Sequence, residues 1–449
     1  MDPVLPAGLP RVDPVRKPRR PFPLWLTGLL VTAWLLSAVL SVRSVQDAPL
    51  ASWAAWRLSD QELRLATDDA RPAALVRRAD LLEQDPDPRS QAGAAILWHL
   101  AGQPEKARSI PLGSTDDPQR DELVRAMIAG RPADADTLKS WASWSEGGER
   151  YWWEEQLILA LADQGGELHS DVSALSERLR RRTLSMSWLV GVSSLLLMAA
   201  GLFVAVRVFL RRRAGIRLDR VPPVFRWIGW RKVMAGVALA ELGALLLLVL
   251  ASFALSFHLD WTHGQMALRD SLWRGAGTAI LCLAFFPGVR MAMRAIRLNL
   301  RFTVGPVFAA LGLSLAVATL CQWLLPPGAE QSQGVLVNPW TFGGNGLAYV
   351  LWTGCVLAPL FEEIVHRGFI FNALSSRFGT VVGVVVSSAI FSAIHGYPLQ
   401  GAVSVFGFGV ISALLYRATG SLGASVLLHS AFNFSSLLGY WVAMESPYF

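Results

Sequence analysis

The sequence predicts an all-α fold: a polytopic membrane helix bundle of about nine spanning helices, carrying an all-helical extracytoplasmic insert. Three observations predict it. Of 449 residues, 53% are hydrophobic and only 17% charged. Several apolar runs reach the ~20 residues that cross a bilayer. The charge also divides along the chain: 14 basic and 24 acidic residues lie between Arg43 and Glu177, a net −10, so the rest of a chain of total charge +7 carries +17. The acidic part reads as a soluble domain, and the basic residues gather at the ends of apolar runs as the positive-inside rule expects. A nucleic-acid partner is therefore not expected.

Residues 1–23 form a basic tail with Arg16, Lys17, Arg19 and Arg20, predicted to be cytoplasmic. The run 24–42 reads as an uncleaved anchor, because its apolar core is long for a signal peptide and no small-x-small cleavage site follows. Residues 43–182 lack cysteine and repeat apolar residues at helical spacing, as in "AAILWHLAGQPEKA". They predict a small acidic helical domain. Its Gly-Gln-Pro break between helical runs resembles a tetratricopeptide-type hairpin repeat, and the domain is expected to dock a protein partner or the substrate. Trp152 and Trp153 within it read as core.

Residues 183–232 supply a spanning helix, 184–206, and a loop with nine Lys/Arg between Arg207 and Lys232. Residues 233–449 form a multi-helix membrane domain. Its spans are 233–257, 275–293 (interrupted by Pro287), 302–325, 346–374, 380–395, 400–416 and 422–443, with a functional core at about 346–440. Alternate loops are rich in Lys/Arg, which places the N-terminus in the cytoplasm and the 43–182 domain outside it, in a multi-pass membrane protein. Cys282, Cys321 and Cys355 lie in apolar runs without metal-ligand spacing and read as packing residues.

The stretch "APLFEEIVHRGFIFNAL" places Glu362, Glu363 and Arg367 inside one of these runs. Charge at that depth costs roughly 2.5–3.5 kcal/mol per residue on an insertion scale, so it has to be held or used. On a helix Glu363 and Arg367 are i and i+4 and can pair, while Glu362 points ~100° away. His395 in "FSAIHG" and His429 with Asn433 in "HSAFNF" are the other strongly polar side chains of the last three apolar helices. At 1.5 Å per residue Glu362 lies roughly 20 Å from the cytoplasmic helix end, His395 roughly 24 Å, and His429 and Asn433 roughly 14–20 Å. One layer of the bilayer thus receives two carboxylates, two imidazoles and an amide.

That set can activate water: a carboxylate deprotonates it, and His and Asn donate hydrogen bonds to a developing oxyanion. Alternatively Glu362, His395 and His429 could hold a divalent metal such as zinc whose bound water is the nucleophile. A structural ion-pair network, an ion-coupled transporter and a non-catalytic membrane scaffold are rival readings of the same polar site. His366, four residues after Glu362, is expected to lie off the site or near the lipid interface. Pro359 is expected to kink the motif helix and free a backbone carbonyl near the glutamates.

In order, "EEIVHR", "FSAIH" and "HSAFN" resemble the EExxxR, FxxxH and HxxxN motifs of the CPBP intramembrane proteases. That family includes the CAAX prenyl endopeptidase and its bacterial relatives known as lysostaphin-resistance-like or Abi proteins. The resemblance covers about 348–438 and implies an intramembrane endopeptidase with Glu362 as catalytic base and Glu363 and Arg367 in support. It further implies His395 helping to hold the water or metal, and His429 and Asn433 completing the oxyanion or metal site. A peptide or protein at the membrane would be the substrate. Because bacteria generally lack protein prenylation, a prenylated CAAX substrate is not expected.

Overall fold

The computed structural model describes residues 22–46, 52–112, 117–144, 150–164, 166–211, 225, 228–256, 275–286, 288–300, 304–325 and 346–445. Pro287, the basic N-terminal tail and most of the Arg207–Lys232 loop lie outside these residues. The described chain is helical throughout and contains no strand. It divides into two compact units: one of Met1–Asp47 with Ser194–Ser436, the other of Ala48–Ser193 with Leu437–Phe449.

The second, acidic unit is built from α2 (Ser52–Leu65), α3 (Arg71–Glu83), α4 (Pro88–Leu100), α5 (Pro104–Ser109), α6 (Pro118–Ile128), α7 (Ala135–Trp144), α8 (Trp152–Leu161) and the first part of α9 (Glu167–Arg211). Aspartates start three of these helices. Asp87 accepts from Arg89 N at 2.8 Å, Asp117 from Arg120 N at 3.0 Å and Asp134 from Thr137 N at 2.8 Å, so each satisfies an orphan N–H of its first turn. Pro88 and Pro118 follow at the position where a missing N–H does no harm. Leu82, Ile96, Trp98, Val124, Trp153 and Leu157 are among the buried side chains of the unit's single core, so Trp153 is core as its sequence context suggests. Within that core Arg64 pairs with Asp60 at 2.9 Å and with both oxygens of Glu155 at 2.7 and 3.0 Å.

The first unit contains α1 (Leu24–Gln46), the remainder of α9, α10 (Trp230–Ser256), α11 (Gly275–Phe285), α12 (Val289–Ala295) and α13 (Val304–Leu324). A long motif helix, α14, runs from Gly346 to Phe378 and is followed by α15 (Thr380–His395), α16 (Leu399–Thr419) and α17 (Leu422–Glu445). Among the described residues, each stretch predicted to span the membrane is predominantly helical. Among the described residues four helices are long and apolar enough to cross a bilayer: Glu167–Arg207, Val304–Leu324, Leu399–Thr419 and Leu422–Gly439. Leu24–Ser37, Gly275–Phe285 and Thr380–His395 are shorter apolar helices. α9 and α13 approach so closely that a Cβ on Gly201 would stand 2.5 Å from the Gly312 Cα, the small-residue crossing on which helix association in lipid depends. Cys282, Cys321 and Cys355 are free thiols.

α14 is not a uniform α-helix. Two π-helical segments, Thr353–Leu357 and Ile364–Phe371, flank the α-helical turn Ala358–Glu363 that carries the glutamates. Pro359 accounts for the first. Ala358 N–H reaches back five residues to Thr353 O, and the next bond of that series, from position 359 to Gly354 O, cannot form because proline has no N–H. The expectation of a freed carbonyl near the glutamates is met at Gly354.

Candidate active site

Four consecutive helices build the site: α14 brings Glu362, Glu363 and Arg367, α15 brings His395, α16 brings Ser412, and α17 brings His429 and Asn433. Glu363 and Arg367 pair as the i, i+4 spacing requires, with Nη1 3.2 Å from Oε1. The pair sits in the interior, and Glu363 is 0% exposed. Its carboxylate is further held by Ser412 Oγ, which donates to Oε2 at 2.9 Å, and by His429 Nδ1, which donates to Oε1 at 3.0 Å. Arg367 also donates from Nη2 to Gly409 O at 3.3 Å. Gly409 has to be small there, since a Cβ would stand 3.0 Å from the Ser388 Cβ across the α15–α16 contact.

Glu362, the adjacent carboxylate, has a different environment. Its side chain keeps 19% exposure, and Oε2 stands 3.6 Å from His395 Nε2 and 3.9 Å from His429 Nε2. The tautomers follow from the other ring nitrogens. His395 Nδ1 lies 2.6 Å from Phe391 O, and a carbonyl oxygen can only accept, so Nδ1 carries the proton. His429 Nδ1 likewise donates to the Glu363 carboxylate. Both neutral imidazoles therefore direct bare Nε2 lone pairs toward Glu362 Oε2.

With both rings in that neutral tautomer, a carboxylate and two imidazole nitrogens face one another, an arrangement that suits a donor or a cation between them. The tautomers, with Nδ1–H committed to a backbone carbonyl and to a carboxylate, are those that metal-binding histidines adopt, and two imidazoles with a carboxylate are a donor set zinc accepts. Ligands at ~2.0–2.1 Å from a tetrahedral ion stand about 3.4 Å apart, a few tenths of an ångström closer than here. Among the described residues no three His, Cys, Asp or Glu stand at metal-holding spacing. The donor chemistry of Glu362, His395 and His429 fits a cation.

Asn433 also makes a contact that the sequence did not indicate. Its Nδ2 donates to Gly354 O at 2.8 Å, replacing the bond that Pro359 cannot make, so one of its two N–H groups holds α14 and the other is left for a ligand. Of the two places expected for His366, off the site or near the lipid interface, the second does not hold: it is 2% exposed and meets Phe391 edge-to-face at 5.0 Å, inside the bundle. Ser412 escaped the sequence reading because a lone serine in an apolar helix carries no signal.

The fold and site define a class: a helical membrane protein with a carboxylate–imidazole layer buried among its last four helices, the arrangement of a hydrolase. Residues 344–435 match the family model described as type II CAAX prenyl endopeptidase Rce1-like. That segment is thus a domain of the protease family to which its three motifs pointed. No characterised protein and no solved structure matches the chain.

Proposed function

We propose that the chain is a multi-pass intramembrane endopeptidase that hydrolyses peptide bonds of membrane-proximal substrates, with Glu362 as general base. One observation carries the reading: the Nε2 atoms of His395 and His429 converge on the more exposed of two adjacent carboxylates, at 3.6 and 3.9 Å from Glu362 Oε2. A water there donates one O–H to Glu362 Oε2 and the other to His395 Nε2, which leaves a lone pair directed away from both, toward an incoming carbonyl. Glu362 takes the proton as the oxygen attacks and returns it to the departing amine. The second N–H of Asn433 is the candidate donor to the oxyanion. Glu363, with three partners of its own, orients His429 and stays out of proton transfer.

Were a divalent cation resident, Glu362, His395 and His429 would hold it, and it would supply a more acidic bound water. Metal content separates the cases: wild type that retains a stoichiometric metal lost in His395→Ala supports the cation, and metal-free active protein excludes it. We place the N-terminus in the cytoplasm and the acidic domain outside it, in a bacterial inner membrane, on the distribution of Lys and Arg among loops. The acidic domain then meets substrate or a partner protein on the outer side.

The test compares peptide products by mass spectrometry from membranes with wild-type protein and with Glu362→Gln at matched abundance. Products confined to wild type support the reading and identify substrates. Identical profiles with both proteins folded would transfer the site to a scaffold or an ion-coupled carrier.

A further inference from the structure

The chemistry described so far uses carboxylates, imidazoles and an amide, and gives no role to the ring that touches most of them. Phe391 in α15 is 1% exposed. The Arg367 guanidinium carbon lies 4.3 Å from its ring centroid. His395, one turn further on, lies 4.6 Å away and tilted by 58°. His366 and His429 meet it edge-to-face at 5.0 and 5.8 Å, with interplanar angles of 81° and 78°. One uncharged ring therefore contacts a cation and three imidazoles from three helices.

Of these groups only His395 is tied to Phe391 by a hydrogen bond, from Nδ1 to the Phe391 carbonyl at 2.6 Å. Arg367 forms an ion pair with Glu363 and donates to Gly409 O, and His429 bonds to Glu363. His366 Nδ1 is buried with no hydrogen-bond partner, so ring contact is what locates that side chain. An aliphatic side chain of equal volume would fill the same space, but it lacks the negative π-face that attracts a guanidinium and the quadrupole that sets edge-to-face angles.

We propose that Phe391 is a positioning residue of the catalytic layer: its face anchors the Arg367 cation, and thereby Glu363 and His429, while its edge and face fix the plane of His395. This rests on the proteolytic reading above. Phe391 touches no reacting atom, and its effect passes through the four groups it orients.

The experiment uses the full-length protein in lipid nanodiscs, with Phe391 replaced by mono-, di- and trifluorophenylalanine and by cyclohexylalanine. Fluorine drains the ring face with little change of volume, so packing is held while the quadrupole is titrated away. Turnover of a peptide identified by the wild-type/Glu362→Gln comparison is followed together with melting temperature. We expect kcat to fall stepwise, to about a tenth or less at the trifluoro ring, as for weakening one desolvated cation–π contact, with KM held within about twofold. Cyclohexylalanine should fall furthest. A flat kcat across the series, whether or not melting temperature declines, makes Phe391 a packing residue and overturns the proposal. Absence of wild-type products beyond those of Glu362→Gln would instead sink the proteolytic reading and this assignment with it, an outcome distinct from an active wild type with a flat series.

Discussion

Both units bury an arginine paired with the carboxylate four residues before it: Asp60–Arg64 in the acidic unit and Glu363–Arg367 in the apolar one. In the acidic unit the arginine meets two carboxylates, Asp60 and, in bidentate fashion, Glu155, and Asp60 accepts from Trp152 N at 2.5 Å. Burial works against the charge on Arg64, but Asp60 and Glu155 outweigh it and hold its pKa above the usual arginine value. In the apolar unit Glu363 is likewise satisfied, by Arg367, Ser412 and His429, yet a second carboxylate beside it, Glu362, faces imidazole lone pairs and retains exposure. A network closed on itself stabilises a fold, whereas a carboxylate that stays partly exposed beside two imidazoles is equipped for chemistry.

The comparison is broken most severely by exchanging the two glutamates' roles. Glu362→Gln should lower peptide hydrolysis by about 10²–10⁴-fold, the usual worth of a general base, and leave the melting temperature near wild type. Glu363→Gln should do the reverse in the first instance, costing about 3–5 kcal/mol of stability by stranding Arg367, with activity lost in proportion to unfolding. Thermal melts paired with product quantification check both. Equal stability losses for the two variants would erase the distinction between a structural and a chemical carboxylate.

Next in size, Glu155→Gln should destabilise the acidic unit by about 3–5 kcal/mol, because Arg64 would keep its charge in the interior with half its partners gone. Hydrogen exchange of α2 and α8 in the full-length protein reports it. Smaller again, Asn433→Ala should cost about 1–3 kcal/mol by leaving Gly354 O unsatisfied, and Pro359→Ala, which restores an N–H at that turn, should recover much of the loss. Additive melting-temperature changes in the double variant would refute the coupling.

The smallest effect belongs to Asp134. The Thr137 N–H and hydroxyl hold its carboxyl below the usual carboxylate range, so the cap's contribution is present above the ordinary value and is lost as pH falls through the depressed one. Asp134→Ala should lower the melting temperature slightly at neutral pH, and the difference from wild type should shrink as pH falls through the depressed value, where the wild-type cap is protonated as well.

Much of this was legible in sequence because hydropathy and i, i+4 spacing are local. The helical stretches, the Glu363–Arg367 pair and the divergence of Glu362 from it all follow from residues a few positions apart. The freed carbonyl beside Pro359 was legible too, since proline's missing donor is a fixed fact. What replaces that donor was not, because Asn433 lies on another helix, 79 residues along the chain. The same limit hid Ser412 and the burial of His366. Periodicity also fails inside α14, where i→i+5 turns rotate successive side chains by less than the 100° that helical reading assumes.

The bond between Asn433 and Gly354 has a consequence for the order of assembly. α14 forfeits a backbone hydrogen bond at Pro359 that only the last helix restores, and the same helix contributes His429, which completes both carboxylate environments. The proposed hydrolytic layer is therefore complete only once α17 has been made and packed. On that reading, competence arrives with the final helix.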